Sequence, residues 1–298
     1  MRWDPNHKSK DVIDRRGDGP ARGGFGGGGG NLILQLLPML LRSRLGLGGT
    51  VVVVGLLYFG SMFLGSADPQ SRVQNKPGAV APGAADDAAD RHARFTGFVL
   101  DDVQGFWTAE FARQGKTYER ARLVLFTGST NTACGLGESA AGPFYCPADH
   151  LAYIDLAFYA DLERQLNAGG DFAQAYVIAH EIGHHVQNLL GTSERVRRQG
   201  DRAGVESGSV RLELQADCFA GLWARSTGQR QLVESGDLEE ALRAAASIGD
   251  DTLQKNAGGR VRPESFTHGT SAQRGFWFRR GFESGDVAAC DTFSAASL

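Results

Sequence analysis

The chain has 298 residues, of which 42% are apolar and 22% charged, with a net charge of -3. It is long enough to bury a sizeable core, which excludes a disulfide-held mini-protein, and too polar for a multi-span membrane protein. Mild acidity excludes nucleic acid as the main partner, because neutralising phosphates takes a dense Lys/Arg surface.

The charge is uneven. Residues 1–44 hold eight Lys/Arg against four Asp, giving +4 and leaving -7 for the rest. Nine of the 41 glycines fall between Gly17 and Gly30, so residues 1–30 are expected to form a disordered tail. An apolar stretch, Leu32 to Leu41, is too short to cross a bilayer and carries Gln35 and Pro38, which suits an interfacial position. Residues 1–45 are thus predicted to be a basic, Gly-rich cytoplasmic tail with a short interfacial segment. Residues 46–65, GLGGTVVVVGLLYFGSMFLG, carry no charge over a length that matches one bilayer crossing. Arg42 and Arg44 flank this run on its N-terminal side, and the positive-inside rule then puts the N-terminus in the cytoplasm. The expectation is one transmembrane helix in the cytoplasmic (inner) membrane, with everything after it periplasmic or extracellular. A buried core helix, or a signal peptide cleaved near Gly65-Ser66-Ala67, are the alternatives.

Residues 66–94, with Pro69, Pro77 and Pro82 and no apolar period, are expected to be a linker. Val99, Val103, Phe106 or Trp107, and Phe111 recur at helical spacing, so a folded domain is predicted over 95–298. Short strands are expected at Arg122 to Phe126 and Leu151 to Leu156. Helices are expected at 97–114, 157–167, 172–190, 206–226, 237–248 and 270–283, with Asp171 and Asp237 as N-caps and Gly191 as a stop. The class is α+β, mostly helical with a small sheet. Four cysteines without a C-x-x-C pair favour disulfides, and of three connectivities the expected one is Cys134–Cys146 with Cys218–Cys290. Four free buried thiols are the alternative.

The segment DFAQAYVIAHEIGHHVQNLLG carries His180-Glu181-Ile182-Gly183-His184, an H-E-x-x-H pattern inside a helical period. Ala175, Ile178, Ile182, Val186 and Leu189 form an apolar stripe, while His180 and His184 stand one turn apart, so both imidazoles can reach one metal ion. Glu181 lies about 100° round the helix, where it can address a water without ligating the metal. A catalytic zinc needs a third protein ligand. The metzincin extension fails, because Gln187 and Leu190 stand where Gly and His are required. RLELQADCFAGLWAR offers Glu213 as the third ligand, with Asp217 one turn later to hydrogen-bond a ligating histidine from behind. A solvated helix-face carboxylate is the plainer account of Glu213, but two carboxylates on so apolar a helix need a partner. His185 points off the metal face, His150 begins a strand, and His7 and His92 fall in segments expected to be disordered.

His180 to His184 followed by Glu213-Leu214-Gln215-Ala216-Asp217 resembles the gluzincin arrangement, in which the Glu of an E-x-x-A-D element completes a zinc site. More widely, MRWDP with its Gly-rich sequel, ACG to GPFYCPAD, AYVIAHEIGHHVQ, ELQADCFAG and SFTHGTSAQR resemble the bacterial neutral zinc metallopeptidase family of the YpfJ type. The resemblance implies a zincin-like metallopeptidase domain over 95–298, a Zn2+ cofactor and a peptide or protein substrate. The expected mechanism has zinc activate a water while Glu181 takes its proton and passes it to the leaving amine. His268 is the expected oxyanion-stabilising donor, with Tyr153 as runner-up, and the strand around Tyr153 to Leu156 is expected to offer an edge to an extended peptide. The sequence therefore points to a membrane-anchored zinc metallopeptidase, the alternative being a zinc-stabilised, membrane-tethered adaptor without proteolytic activity.

Overall fold

The computed structural model describes residues 1–18, 82–164, 168–200 and 203–298. In chain order these hold β1 (Val12–Asp14), α1 (Pro82–Arg113), β2 (Arg122–Phe126), β3 (Ser129–Thr132), β4 (Gly135–Glu138), β5 (Phe144–Cys146) and β6 (Leu151–Asp155). The helices α2 (Ala157–Arg164), α3 (Asp171–Leu189), α4 (Thr192–Gln199), α5 (Gly208–Gln229), α6 (Asp237–Ser247), α7 (Asp250–Asn256) and α8 (Ser271–Ser284) follow. The class is α+β and mostly helical, as expected. A four-stranded sheet has the order β1-β2-β6-β5, parallel except for β5, and β3 with β4 forms a separate hairpin.

Strand β2 is buried on both faces, which is why it reads as a continuous apolar run rather than an alternation. Leu123 and Leu125 enter the main core, while Val124 and Phe126 meet Tyr153 and Cys146 on the opposite face. On α1, Phe95, Val99, Val103, Trp107 and Phe111 recur every four residues and are all buried. This helix begins at Pro82, inside the stretch expected to be linker. Proline is tolerated in a first helical turn and the Ala-rich sequel has high helix propensity, which a search for apolar period does not register. The hairpin, β5 and the short α4 and α7 also escaped that search, being shorter than the pattern it needs.

Both expected disulfides are formed, and no described cysteine is free. Cys134–Cys146 ties the turn of the β3–β4 hairpin to β5, and Cys218–Cys290 ties α5 to the C-terminal segment. Beside the second bridge, α5 and α8 cross with their backbones touching. A Cβ on Gly221 would stand 2.0 Å from the Phe278 carbonyl oxygen, and one on Gly281 would stand 2.0 Å from that of Cys218. Gly281→Ala is therefore expected to destabilise the fold by about 1–3 kcal/mol or more, read as a lower denaturation midpoint. An unchanged midpoint would show that the helices can part without cost.

Three expectations are corrected. Residues 1–18 are not a disordered tail: β1 pairs with β2, and this segment belongs to the same compact unit as Pro82–Leu298. The Met1 ammonium lies 2.9 Å from Asp171, 3.0 Å from Glu234 and 3.2 Å from Asp237, the Trp3 ring packs edge-on against Phe95, and His7 bonds Asp101 at 2.8 Å. The second correction is the membrane topology. No helix among the described residues is long and apolar enough to cross a membrane, and the predicted span 46–65 lies outside them. A single crossing there would put residues 1–18 and the domain on opposite faces of a bilayer, yet they touch. The transmembrane-helix and inner-membrane expectations are set aside accordingly. Hydropathy and flanking charge are local signals and carry no information on partners that lie far along the chain. Third, Asp171 and Asp237 are not N-caps: Gly170 and Gly236 take those places, and the two carboxylates in the first turns bind the Met1 ammonium. Gly191 does stop α3, in the left-handed conformation at φ 73°.

Candidate metal centre

Helix α3 lies in the core against α1, α5 and α6, and its central residues are almost all buried. Its approach to α5 is made at one small pair: a Cβ on Gly183 would meet the Ala216 Cα at 3.1 Å and its Cβ at 3.2 Å. Glycine at 183 and alanine at 216 thus let the two backbones come close enough for a Glu side chain to span the gap. Across it, His180 Nε2 is 3.1 Å and His184 Nε2 is 3.4 Å from the Glu213 carboxylate, and the two Nε2 atoms are 3.2 Å apart. Tetrahedral zinc with bonds of about 2.0–2.1 Å sets its donors about 3.3–3.4 Å from one another, so these spacings fit the ion.

The chemistry of the donors fits it too. His180 Nδ1 is 2.9 Å from the Asp217 carboxylate, which only accepts. His184 Nδ1 is 2.9 Å from Gln187 Oε1, and the Gln187 amide nitrogen donates to the Leu212 carbonyl, which orients the amide. Both rings therefore carry their proton on Nδ1 and turn an Nε2 lone pair toward the other ring and toward Glu213. Facing lone pairs and a carboxylate repel unless a cation lies between them. With only protons available, burial opposes charge on His180, but the Asp217 charge and the hydrogen bonds that His180 donates to Asp217 and Glu213 outweigh it and raise His180 to about 10. Burial likewise pushes Glu213 up, and the His184 and His180 charges overcome this and hold it well below the usual carboxylate range. A potential that favours imidazolium and carboxylate together is one that favours a metal ion.

Glu181 is half-buried on the same helix, and no described residue donates a hydrogen bond to its carboxylate. Burial raises its pKa, against the pull of His184 and His180. Asp217 is fully buried, where Tyr176, His180 and Arg274 all bond to it. His268 stands apart from this group. Its loop is held by Asp250, which accepts from the backbone N–H groups of Thr267, His268 and Gly269 and lies 3.2 Å from the His268 ring. The ring is 49% exposed, and its pKa is raised first by the Asp250 hydrogen bond and also by the Glu213 charge. Tyr153 is turned away, its hydroxyl bonded to Asp149 and its ring stacked on Phe144. Nor is β6 an edge, since β2 and β5 flank it. The terminal strand of the sheet beside α3 is β5.

His185 is buried off the metal face, donating from Nε2 to the Glu119 carbonyl and accepting at Nδ1 from Tyr145, and burial lowers its pKa. Three residues have a place in the centre that the sequence reading did not assign. Tyr176 and Gln187 stand one turn before His180 and one turn after His184, a spacing that signals a shared face. Arg274 comes from α8, and only its place in SFTHGTSAQR hinted at it.

A helical H-E-x-x-H pair closed by a carboxylate from a second helix defines the zincin-like class of metalloprotein. The chain belongs to the family described as "Putative neutral zinc metallopeptidase", whose model matches residues 1–293. It is 47% identical to "Uncharacterized protein YpfJ" of Escherichia coli strain K12, over 98% of this chain and 99% of that protein. It is also 49% identical to "Uncharacterized protein Rv2575" of Mycobacterium tuberculosis strain H37Rv, over 61% of this chain and 65% of that protein. No solved structure matches.

Proposed function

We propose that this chain is a zinc-dependent peptidase in which His180, His184 and Glu213 hold the metal and Glu181 is the general base. The observation that carries this reading is that, among the described residues, three donor groups converge there and not four. A structural zinc takes four protein ligands, whereas a catalytic one keeps a position for water, so the adaptor alternative is not favoured. Bound zinc supplies Lewis acidity, acidifying a water and polarising a peptide carbonyl. Glu181 takes the proton from the attacking water on its carboxylate, holds it in a half-buried site that favours the protonated form, and returns it to the leaving nitrogen. His268, bonded at Nδ1 to Asp250, donates from Nε2 to the developing oxyanion as the imidazolium, the form that the Asp250 hydrogen bond favours by raising its pKa. Strand β5 pairs with β6 on one side, and the other side suits an extended peptide added as a further strand.

Metal analysis of the purified full-length protein should find one zinc per chain. A chelator should abolish hydrolysis of a peptide library, and stoichiometric zinc should restore it. Hydrolysis that persists in metal-free protein would overturn the assignment.

A further inference from the structure

We infer that Arg274 is a positioning residue of the metal centre, clamping Asp217 so that this carboxylate aims the His180 ring at Glu213 and His184. The inference rests on the zinc reading of the site.

Arg274 is 2% exposed and unavailable to substrate, on a helix distant in sequence from both metal-binding segments. Its Nε donates to Asp217 Oδ2 at 2.9 Å and its NH2 group to Oδ1 at 3.0 Å, a bidentate clasp that fixes the carboxylate plane. The same NH2 group reaches the Tyr176 hydroxyl at 3.1 Å, while that hydroxyl donates to Oδ1 at 2.5 Å. His180 Nδ1 lies 2.9 Å from the same Oδ1, so the held carboxylate sets the rotation of that ring and with it the aim of Nε2. A buried guanidinium is costly unless its partner is fixed, and here the backbone supplies the fixing. The Gly221 and Gly281 crossing presses α8 onto α5, the helix that carries both Glu213 and Asp217, and Cys218–Cys290 lies at the same contact. Thr270 caps α8 in a capping box with Gln273, which sets Arg274 in its first turn. Lysine offers a point charge and no fork, so it cannot hold both oxygens.

Charge gives the test its sign. Glu181, Glu213 and Asp217 against Arg274 leave a formal -2 that a divalent cation neutralises. Deleting the guanidinium charge by itself would tighten cation binding, whereas losing the clamp loosens it. Zinc affinity of the full-length protein, measured by chelator competition, is thus expected to fall about 10–100-fold in Arg274→Met, the range for outer partners of ligating histidines. Arg274→Lys is expected to lie between this variant and the wild type. Unchanged or tighter zinc binding in folded Arg274→Met overturns the inference. Because Arg274→Met strands a buried carboxylate and can fail to fold, Asp217→Asn is compared with Asp217→Asn/Arg274→Met. Action through Asp217 predicts that Arg274→Met brings no further loss in the Asp217→Asn background, where removal of the guanidinium charge leaves zinc affinity equal or tighter, and a further tenfold loss in the double variant refutes it. Wild-type protein that takes up no zinc would instead sink the metal reading itself.

Discussion

Glu181→Gln is expected to leave one zinc bound per chain and to lower kcat/KM for peptide hydrolysis by about 10²–10⁴-fold, the range over which a positioned proton acceptor acts. The amide keeps the size of the side chain but cannot take a proton. Metal retention is expected because Glu181 follows His180 by one residue, about 100° round α3, outside the convergent set of His180, His184 and Glu213. Loss of rate is expected because no described residue satisfies the carboxylate while burial strengthens it as a base. The two measurements separate the possibilities: wild-type turnover in the variant removes Glu181 from the mechanism, and zinc lost along with turnover makes it a ligand.

Glu213→Ala is expected to abolish both zinc binding and turnover. Loss of an outer hydrogen-bond partner costs about 10–100-fold in metal affinity, and loss of a ligand must exceed that. The variant leaves two Nε2 lone pairs 3.2 Å apart without the Glu213 carboxylate that faces them. Zinc present at about 1,000 times its Kd stabilises a folded protein by about 4 kcal/mol, on the order of 10 °C in Tm for a domain of this size. That zinc-induced rise should be seen in wild-type protein and in Glu181→Gln, and be missing from Glu213→Ala. A full rise in Glu213→Ala would move the third ligand elsewhere.

The parts of the centre legible in the sequence are those built by a single helix. His180, Glu181 and His184 fall within five residues of one another, and helical geometry alone decides their relative directions. Glu213 and Asp217 were legible because two carboxylates stand at one-turn spacing on an apolar helix, an expense that needs a partner. Arg274 was not legible, since a lone arginine before an aromatic run is usually solvated, and nothing local reports that it is 2% exposed. The place of His268 is not legible in the sequence, because it depends on a loop whose path Asp250 sets through three backbone bonds.

The N-terminal segment shows the same division from the other side. Its glycines and charges describe a chain with little to bury, but Met1, Trp3 and β1 find their partners on α3, α1 and β2. Local sequence determined where the long helices run and which helix presents two imidazoles and a base on neighbouring faces. Those properties follow from backbone period and side-chain chemistry over a few turns. Tertiary structure alone decided that Gly183 meets Ala216, that Gly281 lets α8 deliver Arg274 behind Asp217, and that the first residues join the sheet. Such contacts depend on how distant segments fill shared space, and steric fit between them has no signature at either site taken singly.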